Sequence, residues 1–276
     1  MASHFEFMHE HMVEHPPPEW LPGSIQYEAL VGSRAFGISN EDSDMDICGF
    51  CTPPKEEVFP TLDGEIPGFS SPRKRFGVFQ NHHVLSPEGK EYDFSIYSIV
   101  RFFRLCADSN PNAIDALFVP DKYILYSTPI GQIVRNNRKL FLSKMCWTSF
   151  EEYAYQQLRK MTMKKPIGKR KEIVDKYGYD VTYAYHVVRL LDEVEQILTI
   201  EDIDLQRSRG VLESIRSGEW KKEDLMSYVQ TKSDQLNQIC SNSPLRDKPD
   251  HEAIRDLLMF CLERQYGDLS SVVVRQ

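Results

Sequence analysis

Two hydrophobic periods divide the chain. In the front half, short apolar runs and alternations read as strands. In the back half, apolar residues recur every three or four positions, as on helices. Residues 25 to 31, IQYEALV, predict a strand running into Gly32, and residues 45 to 51 predict a second. Residues 92 to 97 alternate, and the pattern turns helical from Ile99. Asn110-Pro111-Asn112 marks the start of another helix, AIDALF. Residues 1 to 15 mix aromatic, acidic and histidine residues as an amphipathic helix would, and Pro16-Pro17-Pro18 ends it. Between 52 and 90, proline, glycine, serine and basic residues break both periods. That stretch reads as a loop-rich insertion outside the core, with short strand-like pieces such as 76 to 80. After Thr128-Pro129 the pattern is helical over 149–163, 181–198, 205–216, 221–239 and 250–265. The expected fold is α+β: a mixed sheet with helices over 1–130, then an α-helical domain over 131–276.

Composition narrows the class. The 276 residues are 41% hydrophobic and 27% charged, ordinary for a globular chain able to bury a core. No stretch approaches the roughly 20 apolar residues of a membrane span, so no membrane partner is expected. The N-terminus lacks a basic segment followed by an apolar one, as a signal peptide would have. The six cysteines lie among apolar residues, which fits a reducing, cytoplasmic compartment. A net charge of −8 disfavours a general nucleic-acid coat but leaves room for local basic patches.

The chemistry concentrates in VGSRAFGISNEDSDMDICGF, residues 31 to 50. Acidic residues are poor strand formers, yet Asp44 and Asp46 lie at a strand's start, two apart, where side chains share a face. Two neighbouring carboxylates repel, and a divalent cation relieves them. Asp93 opens the next clear strand, sharing a face with Ser95 and Tyr97, and is the candidate third acid. Gly32 lets backbone approach a phosphate closely, and Ser33 adds a hydroxyl. Arg34 would neutralise phosphate or pair with Glu41 or Asp42. Gly37 allows the turn toward Ser43.

Gly-Ser, about ten residues, then Ser-Asp-x-Asp resembles the signature of the DNA-polymerase-β-like nucleotidyltransferases. More narrowly, GSRAFG, SDMDICGF, YDFSIYSIVRFFRL, NPNAIDALF, AYHVVRLLDEVEQIL and VLESIRSGEW resemble the YcgL-type predicted nucleotidyltransferases, in order over most of the chain. The resemblance implies a mixed-sheet catalytic domain followed by a helical one. It implies Asp44, Asp46 and Asp93 as catalytic metal ligands for Mg²⁺ or Mn²⁺, two ions in all. It implies Gly32 and Ser33 at the triphosphate, with Arg34, Ser43, His186 and Arg189 completing the nucleotide site. The implied reaction moves a nucleoside monophosphate from an NTP, ATP among the candidates, to an acceptor hydroxyl, with pyrophosphate leaving. An RNA or DNA end is the expected acceptor, linked to RNA repair, and a second copy or a repair-complex partner belongs with that expectation. The alternatives are a protein nucleotidylating enzyme and a nucleotide-binding partner without turnover.

Other features carry weaker expectations. Residues 159 to 176 hold eight basic residues against two acidic. Lys164, Lys165, Lys169 and Arg170 among them would line an acceptor groove or simply a solvated helix face. Arg73, Lys74 and Arg75 in SPRKRFG form a second basic loop. His186 and Arg189 share a helix face, either as a buried polar pair or as a nucleotide contact; Arg216 and Glu219 are further cleft candidates or a helix-end pair. His9, Glu10, His11, Glu14 and His15 have zinc-compatible spacing but no enclosing shell. Cys48 and Cys51 close a strand, where a redox pair would open a helix, so they read as buried apolar side chains. His82-His83 falls in the expected insertion and has no reading.

Overall fold

The computed structural model of the protein describes residues 2–41, 43–58, 75–163 and 165–267, and, within these, all side chains but those of Glu56 and Lys169. Arg73, Lys74 and Lys164, residues 59–74 of the expected insertion and the Lys169 side chain therefore lie outside the described residues.

The chain begins with a short helix, α1 (His4–Met8), capped by the Ser3 hydroxyl, which accepts from the Glu6 N–H. A 3₁₀ turn over His9–His11 replaces the longer helix expected through residue 15. Strand β1 (Ile25–Leu30) leads into a single helical turn, α2 (Gly32–Ala35), and β2 (Met45–Cys51) follows. A further turn, α3 (Lys55–Val58), precedes β3 (Val78–Leu85) and β4 (Glu91–Ser98). Helices α4 (Ile99–Ala107) and α5 (Pro111–Phe118) are capped by Ser98 and Asn110, and Pro111 takes the first turn, where its missing donor costs nothing. Then come β5 (Ile124–Ser127), α6 (Pro129–Asn136), α7 (Met145–Met163), α8 (Lys169–Tyr177) and α9 (Val181–Ile200). The described chain ends with α10 (Arg209–Arg216), α11 (Lys222–Asn242) and α12 (His251–Tyr266).

The five strands form one mixed sheet in the order β3-β4-β2-β1-β5. Strands β2 and β4 are parallel; the other pairs are antiparallel. The architecture is α+β. Residues 78–85, expected to lie outside the core, form an edge strand of the sheet. Strict alternation fails there because a bulge between Asn81 and Val84 throws His82 and His83 out together, with His83 at a φ of 59°.

Each face of the sheet has its own core. On one side Phe5, Met8 and Met12 from the N-terminal segment pack on Ile47, Phe94 and Ile96. The Phe5 and Phe94 rings meet edge to face, their centroids 5.4 Å apart. The carboxylate of Glu28 ties this segment down, accepting from the backbone N–H groups of His4 at 2.7 Å and Phe5 at 2.9 Å. On the other side Tyr27, Cys48 and Phe50 join a large cluster with α4–α7 and the later helices, so apolar residues from both sides of residue 130 share one core. Cys48 and Cys51 fall in opposite cores, being three apart on a strand. Burial lifts the Cys48 thiol to about 12. Helix α9 lies at the centre of the helical half, buried along most of its length and packed on α7 and α11. No helix among the described residues is long and apolar enough to cross a membrane.

Candidate active site

The parallel pairing of β2 with β4 sets Asp46 directly opposite Asp93. Both line a cavity of about 350 Å³, a size typical of small-molecule sites. Cys48, Ser95 and Tyr97 share the same sheet face, as a period of two requires. Asp44 stands exposed one residue before β2 and outside the cavity lining. Its charge nonetheless reaches the site: burial, then Asp93, then Asp44 push the Asp46 carboxyl up to about 6.

Gly32 closes the cavity from the β1 side. Its φ is +66°, and a Cβ there would stand 2.3 Å from Asp46 Oδ2. Only glycine permits this backbone to sit against the carboxylate. The Val31 N–H donates to the Asp46 carbonyl at 2.9 Å, pinning the turn to the strand. Ser33 and Arg34 follow in α2. Arg34 Nη2 donates to the Ser43 carbonyl at 3.1 Å, so its seen partner is backbone, not Glu41; Asp42 lies outside the described residues. The Ser43 hydroxyl accepts from the Asn40 N–H at 2.9 Å and donates to Asn40 Oδ1 at 2.7 Å, which shapes the loop before β2.

The β3 bulge brings in residues that the sequence left unread. The His83 N–H donates to Asp93 Oδ1 at 2.8 Å, and His82 Nδ1 lies 3.1 Å from Asp93 Oδ2. His83 Nδ1 meets Glu91, and that hydrogen bond, then the charges of Glu91 and Asp93, raise the His83 pKa. Among the described residues, His83, Glu91 and Asp93 form the one set of three metal-type donors within 4.8 Å of one another. The N-terminal histidines form no such set; His9 Nδ1 instead contacts the Glu6 carbonyl. Hard carboxylate oxygens crowded at one place, with Asp46 pushed up by burial and then by its acidic neighbours, suit a divalent cation.

Helices α5 and α9 build the far wall. Arg189 Nη1 donates to Asp115 Oδ2 at 2.5 Å and to Glu193 at 2.9 and 2.8 Å. Its guanidinium lies 4.3 Å from the centre of the Phe36 ring, and its Nε donates to His186 Nδ1 at 3.4 Å. Burial and then Arg189 hold His186 down to about 3, so the ring is neutral. His186 and Arg189 thus are a buried polar pair and also line the cavity with Asp46 and Asp93. Asp115, which the sequence reading passed over, is the sole charged residue in AIDALF. A carboxylate among apolar neighbours in a helix that reads as core is the signal that marks it. Arg216 instead donates to the Ile38 carbonyl, and Glu219 accepts from the Ser217 hydroxyl; neither lines the cavity.

A second depression, about 420 Å³, holds Lys160, Lys165, Arg170, Tyr179, Tyr183 and Lys222. Arg170 pairs with Asp180 at 2.8 Å and stacks 4.3 Å over Tyr183. The depression is not remote from the cavity: Tyr183 and His186 are one turn apart on α9, and the charges of Arg170 and Lys160 reach His186. Arg75 is exposed ahead of β3. A shallower, uncharged hollow of about 530 Å³ between α9 and α11 lacks chemistry of this kind.

The chain is similar to an uncharacterized 38.9 kDa protein of the nrdC-mobD intergenic region of Enterobacteria phage T4. The two are 26% identical over 116 residues, 41% of this chain and 32% of that protein, so the match spans about a third of the relative's length. A nucleotidyltransferase-like protein from Exiguobacterium sibiricum, known from its crystal structure, aligns over 89% of this chain and 76% of its own at 9% identity, with a TM-score of 0.28. The family described as RlaP, RNA repair pathway DNA polymerase beta family, matches residues 6–241. That span takes in the strand aspartates, the glycine turn and the α9 cluster, and with it the chain belongs to the RlaP family.

Proposed function

We propose that the protein is a metal-dependent nucleotidyltransferase that moves a nucleoside monophosphate from an NTP to the hydroxyl of an RNA or DNA end, releasing pyrophosphate. The observation that supports this most is the in-register pairing of Asp46 with Asp93 on parallel strands, beside the Gly32 turn. Asp46 and Asp93, with Asp44 at the strand's entrance, would hold Mg²⁺ or Mn²⁺. The bound cation would neutralise phosphate charge and ease loss of the acceptor's proton.

The protein's own part is positioning. Gly32 and Ser33 would receive the triphosphate. Arg34 and Ser43 would keep the loop before β2 in shape for it. His186 and Arg189 would wall the nucleoside end. The acceptor oxygen bonds to the α-phosphorus as the bond to pyrophosphate breaks, and the hydroxyl proton passes to a carboxylate or to water. Residues 1–130 would carry the catalytic groups, and the helices of 131–276 would close the cavity over them. The basic depression beside α9, with Lys165 and Arg170, would lead the acceptor backbone toward it.

The test is one labelling reaction: each α-labelled NTP, Mg²⁺ or Mn²⁺, total RNA and the protein, beside Asp46→Asn. Label in RNA that disappears in the variant is expected. Label on polypeptide would replace this reading with protein nucleotidylation. Nucleotide binding with no label anywhere would replace it with a binding partner lacking turnover.

A further inference from the structure

The far wall of the cavity holds an atom that the proposed transfer leaves unused. Asp115 is 3% exposed and lines the cavity beside Asn112 and His186. Its Oδ2 accepts from Arg189 at 2.5 Å. Its Oδ1 is buried with no hydrogen-bond partner among the described residues. Folded proteins rarely leave a buried carboxylate oxygen without a donor. The other such side-chain atoms here belong to His4, Arg34 and Arg138, none of which lines this cavity.

Charge points the same way. Asp115 and Glu193, both buried, share the single guanidinium of Arg189. His186 adds no positive charge, because burial and Arg189 keep it neutral. Its Nδ1 accepts from Arg189, so the ring hydrogen sits on Nε2. The wall therefore offers an unpaired hydrogen-bond acceptor, and its one cation is already engaged by two carboxyl groups. A triphosphate finds no free positive charge there. A neutral group bearing N–H or O–H is attracted to it.

We propose that Asp115 Oδ1 accepts a hydrogen bond from the nucleoside part of the substrate, a ribose hydroxyl or an exocyclic amine, and so sets nucleotide specificity. The proposal rests on the nucleotidyltransferase reading and adds an orientation to it: phosphates at Gly32 and the strand aspartates, nucleoside against α5 and α9. The pairing with Arg189 fixes the carboxylate, so the acceptor is presented rigidly. A site that reads a donor in this way rejects analogues lacking it far better than an apolar pocket rejects a missing methylene.

The experiment is equilibrium binding by calorimetry on the full chain, with Ca²⁺ present, to nucleotide pairs that differ in one donor. The amine pairs are ATP and purine riboside triphosphate, GTP and ITP, and CTP and pyrimidin-2-one riboside triphosphate. The ribose pairs set each NTP against its 2′-deoxy and 3′-deoxy forms. In at least one pair, loss of the donor should weaken binding to the wild type by about tenfold or more. Asp115→Asn should shrink that ratio to within about twofold, because the amide oxygen turns to Arg189 and leaves its NH₂ toward the cavity. Inorganic tripolyphosphate should bind wild type and variant alike. Equal binding within every pair, or a tenfold ratio surviving in Asp115→Asn, overturns the proposal. If that variant does not fold, a crystal structure of the wild type with its preferred nucleotide decides. A substrate donor within about 3.2 Å of Oδ1 supports the proposal, and any other placement overturns it. If no nucleotide binds at all, the transferase reading falls and takes this inference with it. Binding without donor discrimination overturns this inference alone.

Discussion

Two groups of carboxylates meet at one cavity, lined by Asp46 and Asp93 from the first and Asp115 from the second, and the protein treats them in opposite ways. Asp115 and Glu193 arrive with their cation, Arg189, already between them. Asp46 and Asp93 stand side by side on the sheet with His82 at hand, and among the described residues neither is ion-paired with a lysine or arginine. Burial raises Asp115 and Glu193, and the next influence on each, Arg189, pulls back against it. For Asp46 the next contributions, from Asp93 and Asp44, push the same way as burial. A cluster with its counter-charge built in serves the fold. A cluster kept anionic in a cavity has a use for charge from outside.

The contrast breaks most sharply at the sheet. Asp46→Asn or Asp93→Asn should lower nucleotidyl transfer by at least about a thousandfold, some 4 kcal/mol of barrier. The urea midpoint should hold or rise, since repulsion is relieved. A variant with full turnover, or one that unfolds, would mean that these acids serve the fold. Arg189→Met should do the reverse at the far wall. It strands two buried carboxylates and should cost roughly 3–5 kcal/mol in denaturant unfolding. Loss of less than about 1 kcal/mol would mean that the cluster is not a structural ion group.

Glu28 offers a third case, a buried carboxylate held by two backbone N–H groups and no cation. Burial lifts it from 4.5 to about 7. The folded chain then keeps a proton that the unfolded chain has released, so stability falls as pH rises from about 4.5 through 7. The loss amounts to roughly 3 kcal/mol at high pH. Glu28→Gln should flatten that slope; unfolding curves at pH 5 and pH 8 measure it, and an unchanged slope assigns the effect elsewhere. The smallest predicted loss of stability belongs to Gly32→Ala. A φ of +66° costs a side chain about 1–2 kcal/mol, while the Cβ displaces Asp46 Oδ2. Nucleotide affinity and transfer should drop well beyond what that modest loss of stability explains. Equal losses in both would mean that the turn supports the fold and not the site.

Much of this was legible in the chain because it is local. Strands β1, β2 and β4 show their period directly, and the helix start at Asn110-Pro111 is a matter of adjacent residues. The edge strand β3 was legible only in its first residues, as the strand-like piece 76 to 80, and was placed outside the core. Its bulge breaks alternation, and its exposed Gln80, His82, His83 and Leu85 look like loop. Strand β5 is four half-buried residues, too short to show a period. The N-terminal segment was misread in length because its apolar side chains answer to the sheet beneath them, not to a helix of their own.

What the sequence by itself determined is the inventory and its local order: a glycine turn, two aspartates two apart, a third opening another strand, and a helical back half. Those follow from backbone sterics and from periods of two and 3.6, which act over a few residues. Tertiary structure alone decided the rest. The parallel register put Asp46 opposite Asp93, a relation across 47 residues that no local pattern encodes. The bulge set His82 and His83 on Asp93. The placement of α9 near α5 joined Arg189 to Asp115, 74 positions away, and left Oδ1 without a donor among the described residues. Register and helix packing are settled by the whole buried surface at once, and hydrogen-bond partners follow from them.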